Sequence, residues 1–137
     1  MGRILAIDYG RKRVGLAVTD PLGIIAQPLV TVSAGECLEF LAQYFSENEV
    51  DRVVIGMPTR LDGTPSDSQR YILPFMGRFR KAFPGVRLCE VEEAGTSVEA
   101  FEAMLEGGVR RNARRQKSGI VDRTAASLIL QRYLEEL

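Results

Sequence analysis

Three acids carry the chemistry this sequence could perform, and they are far apart along it: Asp8, Glu93 and Asp122. Asp8 closes an apolar run, Ile4-Leu5-Ala6-Ile7, and opens Tyr9-Gly10-Arg11-Lys12-Arg13. A run of that kind suits a strand buried on both faces. A carboxylate at its carboxyl end then lies where open α/β sheets bind ligands. Asp before glycine is also ordinary turn chemistry; what distinguishes this one is its company. Arg11, Lys12 and Arg13 set three cations beside the acid, while Gly10 and Gly15 leave room for a close approach. Cations beside a carboxylate suit a polyanion held through a metal.

Glu93 follows Glu92 at the end of another strand-like run, Val86 to Val91. Asp122 falls on one stripe with Ala126, Ile129 and Tyr133 in a helix expected from about Gly119 to Glu135. An acid at a helix start is stabilised by the dipole, which is the plainer account of it. A charge on a packing stripe is nonetheless costly unless it is paired, neutralised or bound to a metal. Ala125 and Ala126 are small enough to let that helix approach the sheet and bring Asp122 toward the strand ends. The chain has no histidine, which removes Ser-His-Asp catalysis and histidine-containing zinc sites. Oxygen donors alone suit magnesium or manganese. Two such ions about 3.5–4 Å apart would activate a water and steady the leaving oxygen of a phosphodiester. Asp8, between the other two acids, would bridge both ions.

The elements that must position these acids can be read from pattern. Arg13 to Thr19 returns antiparallel to the first strand through the glycine turn, and Ile24 to Val32 makes a third strand whose Pro28 marks an edge. Ser33-Ala34-Gly35-Glu36 fits a capping box before a helix over Cys37 to Glu47, where Leu38, Leu41, Ala42 and Phe45 recur at helical spacing. Val50 to Met57 is a second central strand. Thr64-Pro65-Ser66-Asp67 reads as the start of a helix running to about Ala82, with proline at the first helical position. Val86 to Val91 is the last strand, delivering Glu92 and Glu93 to the same sheet edge, and Thr96-Ser97-Val98-Glu99 opens a further helix with a second capping box. This order predicts an α/β fold: a five-stranded mixed sheet, a three-strand antiparallel meander plus two parallel strands, flanked by helices.

At 137 residues the chain fits one domain over 1–137. Eighteen basic residues cancel eighteen acidic ones, so any case for a polyanionic partner rests on local clustering. Such a cluster occurs at Arg110, Arg111, Arg114, Arg115 and Lys117. On composition alone it is a solvated loop; beside a carboxylate site it becomes a grip on phosphates. Cys37 and Cys89 form no CxxC pair and read as reduced core thiols. With no membrane-length apolar run and no signal-peptide order at the amino terminus, a cytoplasmic location is expected.

The segments Ile7-Asp8-Tyr9-Gly10-Arg11-Lys12-Arg13-Val14-Gly15-Leu16-Ala17, Val54-Ile55-Gly56-Met57-Pro58 with Asp62-Gly63, and Val121-Asp122 followed by Ala125-Ala126 and Ile129-Leu130-Gln131 resemble the YqgF/RuvX family in type and order. The resemblance implies a ribonuclease H-like fold shared with RuvC-type Holliday-junction resolvases. It implies a nuclease maturing the 5′ end of the 16S ribosomal RNA precursor, or a resolvase of branched DNA, and catalytic acids at Asp8, Glu93 and Asp122. Arg11, Lys12, Arg13, Arg60, Arg110, Arg111, Arg114, Arg115 and Lys117 would hold nucleic acid, and ribosomal particles are further expected partners of a monomer or homodimer. One segment departs. The family typically shows Asp-Glu-Arg-x-Thr-Thr/Ser where this chain has Glu92-Glu93-Ala94-Gly95-Thr96-Ser97. The arginine absent at Ala94 keeps a non-catalytic RNA-binding assembly module among the readings. A sugar-kinase or actin-like ATPase, which also places Asp-x-Gly between strands, is opposed by the lack of a second such hairpin.

Overall fold

The computed structural model describes residues 2–59, 64, 66–93 and 125–136, with position 93 described by its backbone. Five strands form one sheet in the order β3-β2-β1-β4-β5: β1 Arg3–Tyr9, β2 Arg13–Thr19, β3 Ala26–Ser33, β4 Val50–Pro58 and β5 Arg87–Glu93. β1 pairs antiparallel with β2 and β2 with β3, whereas β1–β4 and β4–β5 are parallel. The meander and the two added parallel strands are therefore as the pattern predicts. Helices α1 (Cys37–Glu47) and α2 (Gln69–Ala82) precede β4 and β5 in the chain, and a further helix spans 125–135.

Strand alternation assigns each side chain to one of two cores. Leu5, Ile7 and Tyr9 of β1, with Val14, Leu16 and Val18 of β2 and Val53, Ile55 and Met57 of β4, pack with Cys37 and Leu41 of α1 and Ile72, Phe75, Met76 and Phe79 of α2. Rings bind this layer together: Tyr9 stacks on Phe75 at 4.2 Å between centroids, and Phe79 meets both Phe83 and Phe45. On the other face Ile4, Ala6, Ala17, Val54 and Val91 pack against Ala126, Ile129 and Leu130 of the 125–135 helix. Ala125 and Ala126 are fully buried. Small residues on both surfaces let this helix sit close to the sheet, as the paired alanines suggest. Each large side chain fully buried in these layers contributes about 1.5–3 kcal/mol.

Three boundaries differ from the sequence expectation, each because a hydrogen bond competes with the hydrophobic period. The third strand begins at Ala26, not Ile24, because Asp20 Oδ1 accepts the backbone N–H of both Ile24 and Ile25 at 2.8 Å and holds them in the turn. Ser33-Ala34-Gly35-Glu36 is no capping box: Ala34–Glu36 form a 3-10 turn, Ser33 makes no side-chain cap bond, and Ala34 N–H is taken by the carbonyl of Lys12 at 2.8 Å. α2 starts at Gln69 because the residues before it are tied to the end of β4. Ser66 N–H and Gln69 Nε2 both donate to the Pro58 carbonyl, at 3.2 and 2.8 Å. Pro74 lies inside α2 on its exposed side, where the carbonyl of Arg70 that it leaves unpaired can face water. Pro28 does lie in the border strand β3, next to a register shift between Leu16 and Ala17 of β2. Among the described residues no helix is long and apolar enough to cross a membrane.

Candidate active site

Asp8 is the penultimate residue of the central strand β1, half-buried at the carboxyl end of the parallel strands. Its parity is that of Ile4 and Ala6, so it stands on the sheet face covered by the 125–135 helix. Its neighbours on both flanking strands are glycines. Gly15 of β2 is its antiparallel partner, and on β4 Gly56 follows Ile55, the partner of Ile7. With no side chain on either flank, the space around the carboxylate is kept open across three strands. Sequence reasoning named Gly15 but missed Gly56, whose place beside Asp8 is set by strand register.

Of the two duties its sequence context suggests, turn former and giver of ligand space, Gly10 performs the first. Its N–H donates to the Arg13 carbonyl at 2.9 Å, and a Cβ at this position would lie 2.5 Å from that same oxygen. The glycine closes the hairpin; it does not open a ligand space. Arg11, Lys12 and Arg13 are thereby presented, exposed, at the tip beside Asp8. Burial pushes the Tyr9 phenol above its ordinary pKa, against the pull of the Arg78 guanidinium beside it.

β5 separates the two adjacent glutamates. Register pairs Gly56 with Val91, Met57 with Glu92 and Pro58 with Glu93. Glu92 shares the parity of Leu88, which packs on the α1/α2 side, and it is exposed there beside a depression lined by Met57, Thr59, Gln69 and Glu90. Position 93 shares the parity of Cys89 and Val91, which belong to the core under the 125–135 helix. The backbone thus sets Asp8 and position 93 at one edge and on one face. The two are delivered to the same edge, as expected, but Glu92 belongs to the opposite face.

Asp122 lies outside the described residues, three positions before the buried Ala125. Outside them also lie Arg60, Ala94, the second capping box with its helix, and Arg110, Arg111, Arg114, Arg115 and Lys117. Among the described residues no group of three or more His, Cys, Asp or Glu is close enough to hold a metal. The donor chemistry of Asp8, Glu93 and Asp122, oxygen only in a chain without histidine, fits magnesium or manganese.

Tyr71, on the first turn of α2, is half-buried. With Arg11 and Arg70 it lines a depression of about 370 Å³ between the hairpin tip and the start of α2. Nearby, at the end of β4, the buried Ser66 hydroxyl has no hydrogen-bond partner among the described residues.

Residues 2–136 match a family model described as RuvX: Holliday junction resolvase. A protein of Christiangramia forsetii is 46% identical over 136 residues, covering 99% of this chain and 100% of its own length. One of Porphyromonas gingivalis is 48% identical over 135 residues, covering 98% and 97%. Both bear the name "Putative pre-16S rRNA nuclease". Among solved structures, T. thermophilus RuvC in complex with a Holliday junction substrate superposes with a TM-score of 0.55 at 15% identity, covering 99% of this chain and 96% of that one. Fowlpox virus resolvase, also with junction DNA, gives 0.51 at 13% identity, covering 98% and 97%. At such identities these two likenesses speak to the fold, which is the ribonuclease H-like architecture.

Proposed function

The chain belongs to the RuvX family, and from that premise we propose that it is a metal-dependent phosphodiester hydrolase acting on the 5′ end of the 16S ribosomal RNA precursor in the cytoplasm. The observation that carries the reading is strand register: it brings Asp8 and position 93 to one edge and face of the sheet, beneath the helix that follows Asp122 in sequence. Close relatives named for the ribosomal precursor favour RNA over junction DNA.

In this reading Asp8, Glu93 and Asp122 would hold two divalent ions, magnesium or manganese. The ions would supply charge stabilisation and an activated water for in-line attack at phosphorus. What the chain's own residues contribute is position. Asp8 is fixed by ladder hydrogen bonds in a central strand, so its carboxylate is oriented before substrate arrives. Gly15 and Gly56 let a phosphate approach that carboxylate. Arg11, Lys12 and Arg13 on the hairpin tip neutralise neighbouring phosphates, and Arg60 with the cations between positions 110 and 117 extends that grip.

The test is cleavage of precursor ribosomal RNA and of a four-way DNA junction, with magnesium or manganese and with EDTA. Wild type should cut the RNA only with the metal, and Asp8→Asn should lose at least about a hundredfold in rate while keeping its fold. Preferential cutting of the junction would move the substrate to branched DNA. RNA binding without metal-dependent cutting would leave a non-catalytic assembly module, and activity in EDTA would remove the metal mechanism.

A further inference from the structure

The depression between the hairpin tip and α2 lies at the same sheet edge as Asp8 but on the reverse face. Tyr71 borders it, and the Tyr71 ring lies 6.3 Å from that of Tyr9, which packs on the α1/α2 side. Among the described residues its lining is two exposed guanidinium groups and one half-exposed phenol ring. Among the described residues no carboxylate is ion-paired with Arg11 or Arg70. Its volume, about 370 Å³, is near the lower end of the range for small-molecule sites, roughly 300–1,000 Å³, which leaves room for one nucleotide.

We propose that this depression is a subsite for one nucleotide of a single strand, its phosphate held between Arg11 and Arg70 and its base laid on Tyr71. Guanidinium groups offer forked donors that match phosphate oxygens. An aromatic face binds any base by stacking. The combination selects a single strand, because the bases of a duplex are already stacked on one another and present only their edges. Tyr71 leans at a tilt on Tyr9, which itself stacks on Phe75 in the core. Arg11 belongs to the two-residue tip that separates this depression from Asp8. A strand crossing the tip therefore reaches the depression a few nucleotides from the phosphate at Asp8. This subsite rests on the nuclease reading for its purpose, though its binding can be measured without cleavage.

The experiment is fluorescence anisotropy of labelled oligouridine, the matching DNA strand and a blunt duplex, with the full chain in EDTA. Tyr71→Ala should weaken single-strand binding about tenfold, and Tyr71→Phe, which keeps the ring, should restore it. Arg70→Ala should weaken binding and lower the slope of log affinity against log salt by about one. Duplex affinity should be unchanged by Tyr71→Ala. Single-strand affinity unaltered in both alanine variants, or Tyr71→Phe as weak as Tyr71→Ala, overturns the subsite. Arg70 is exposed, so its variant decides the matter if Tyr71→Ala does not fold. Asp8→Asn run alongside separates the two readings. In the magnesium-supplemented cleavage assay, a wild type that cuts no substrate removes the nuclease reading, and cleavage by Asp8→Asn removes the role of Asp8 in it; in either case the subsite is judged by the binding of the Arg70 and Tyr71 variants. If Asp8→Asn is inactive but Arg70→Ala and Tyr71→Ala bind normally, the subsite alone falls.

Discussion

Cys37 shows two local effects in competition. It is the first residue of α1, where the helix dipole favours a thiolate, yet it is fully buried in the larger core and desolvation pushes its pKa from 9.0 up to about 12. Burial wins, so the thiol stays neutral and unreactive in the folded chain. Because the folded pKa is raised, the associated stability is whole below pH 9 and is lost as the pH climbs from 9 toward about 12, where the unfolded chain ionises first. With iodoacetamide at pH 8, native protein should be labelled at Cys89, which is half-buried, well before Cys37; equal rates would contradict this. At this scale the sequence revealed residue types well and environments unevenly. A buried neutral thiol could be anticipated from a chain with two separated cysteines, and so could the turn at Gly10; that the glycine is needed there for the Arg13 carbonyl and not for ligand space could not, since it depends on the placement of one oxygen.

Elements were legible wherever hydrophobic period was strong. The limits of α1 match the expected span, and the stripe of Ala126, Ile129 and their neighbours is the buried one. Boundaries failed where a hydrogen bond outside the hydrophobic period decided them: the Pro58 carbonyl delays α2, and the Asp20 carboxylate delays β3. The first competitor comes from the preceding strand; the second is local turn chemistry masked by the apolar run of Ile24 and Ile25. The 125–135 helix depends on closeness, since Ala126 shares one buried cluster with Ala6 and Ala17 across its interface. Its far end is held by Tyr133, whose hydroxyl accepts a hydrogen bond from Arg52 Nη1 at 2.7 Å under a cation–π contact. Ala126→Leu should force the helix away from the sheet, costing about 1–3 kcal/mol and lowering Tm by several degrees. In the proposed mechanism it should also raise the magnesium concentration needed for half-maximal rate, because the displaced segment follows Asp122. A variant that melts early with unchanged magnesium dependence would detach this helix from the metal site.

For the molecule as a whole, the informative quantity is which face each acid serves. The sheet order was readable from the alternation of strands and helices, and the shared edge of Asp8, Glu92 and Glu93 followed from it. Their division between faces needed the register of β5 against β4. Glu93→Gln should therefore abolish cleavage, and Glu92→Gln, altering the α2 side, should leave the rate within a few-fold of wild type. The reverse outcome would mean that β5 presents its acids the other way.

The border strand bears on how copies of this chain meet. β3 carries Pro28, which has no amide hydrogen to offer, opposite the shifted register of β2. A second polypeptide laid alongside would meet a strand whose spacing is broken at that shift, and a ladder out of step. Lateral growth into fibrils is thus discouraged along that margin, and concentrated solutions should resist it for as long as Pro28 is in place.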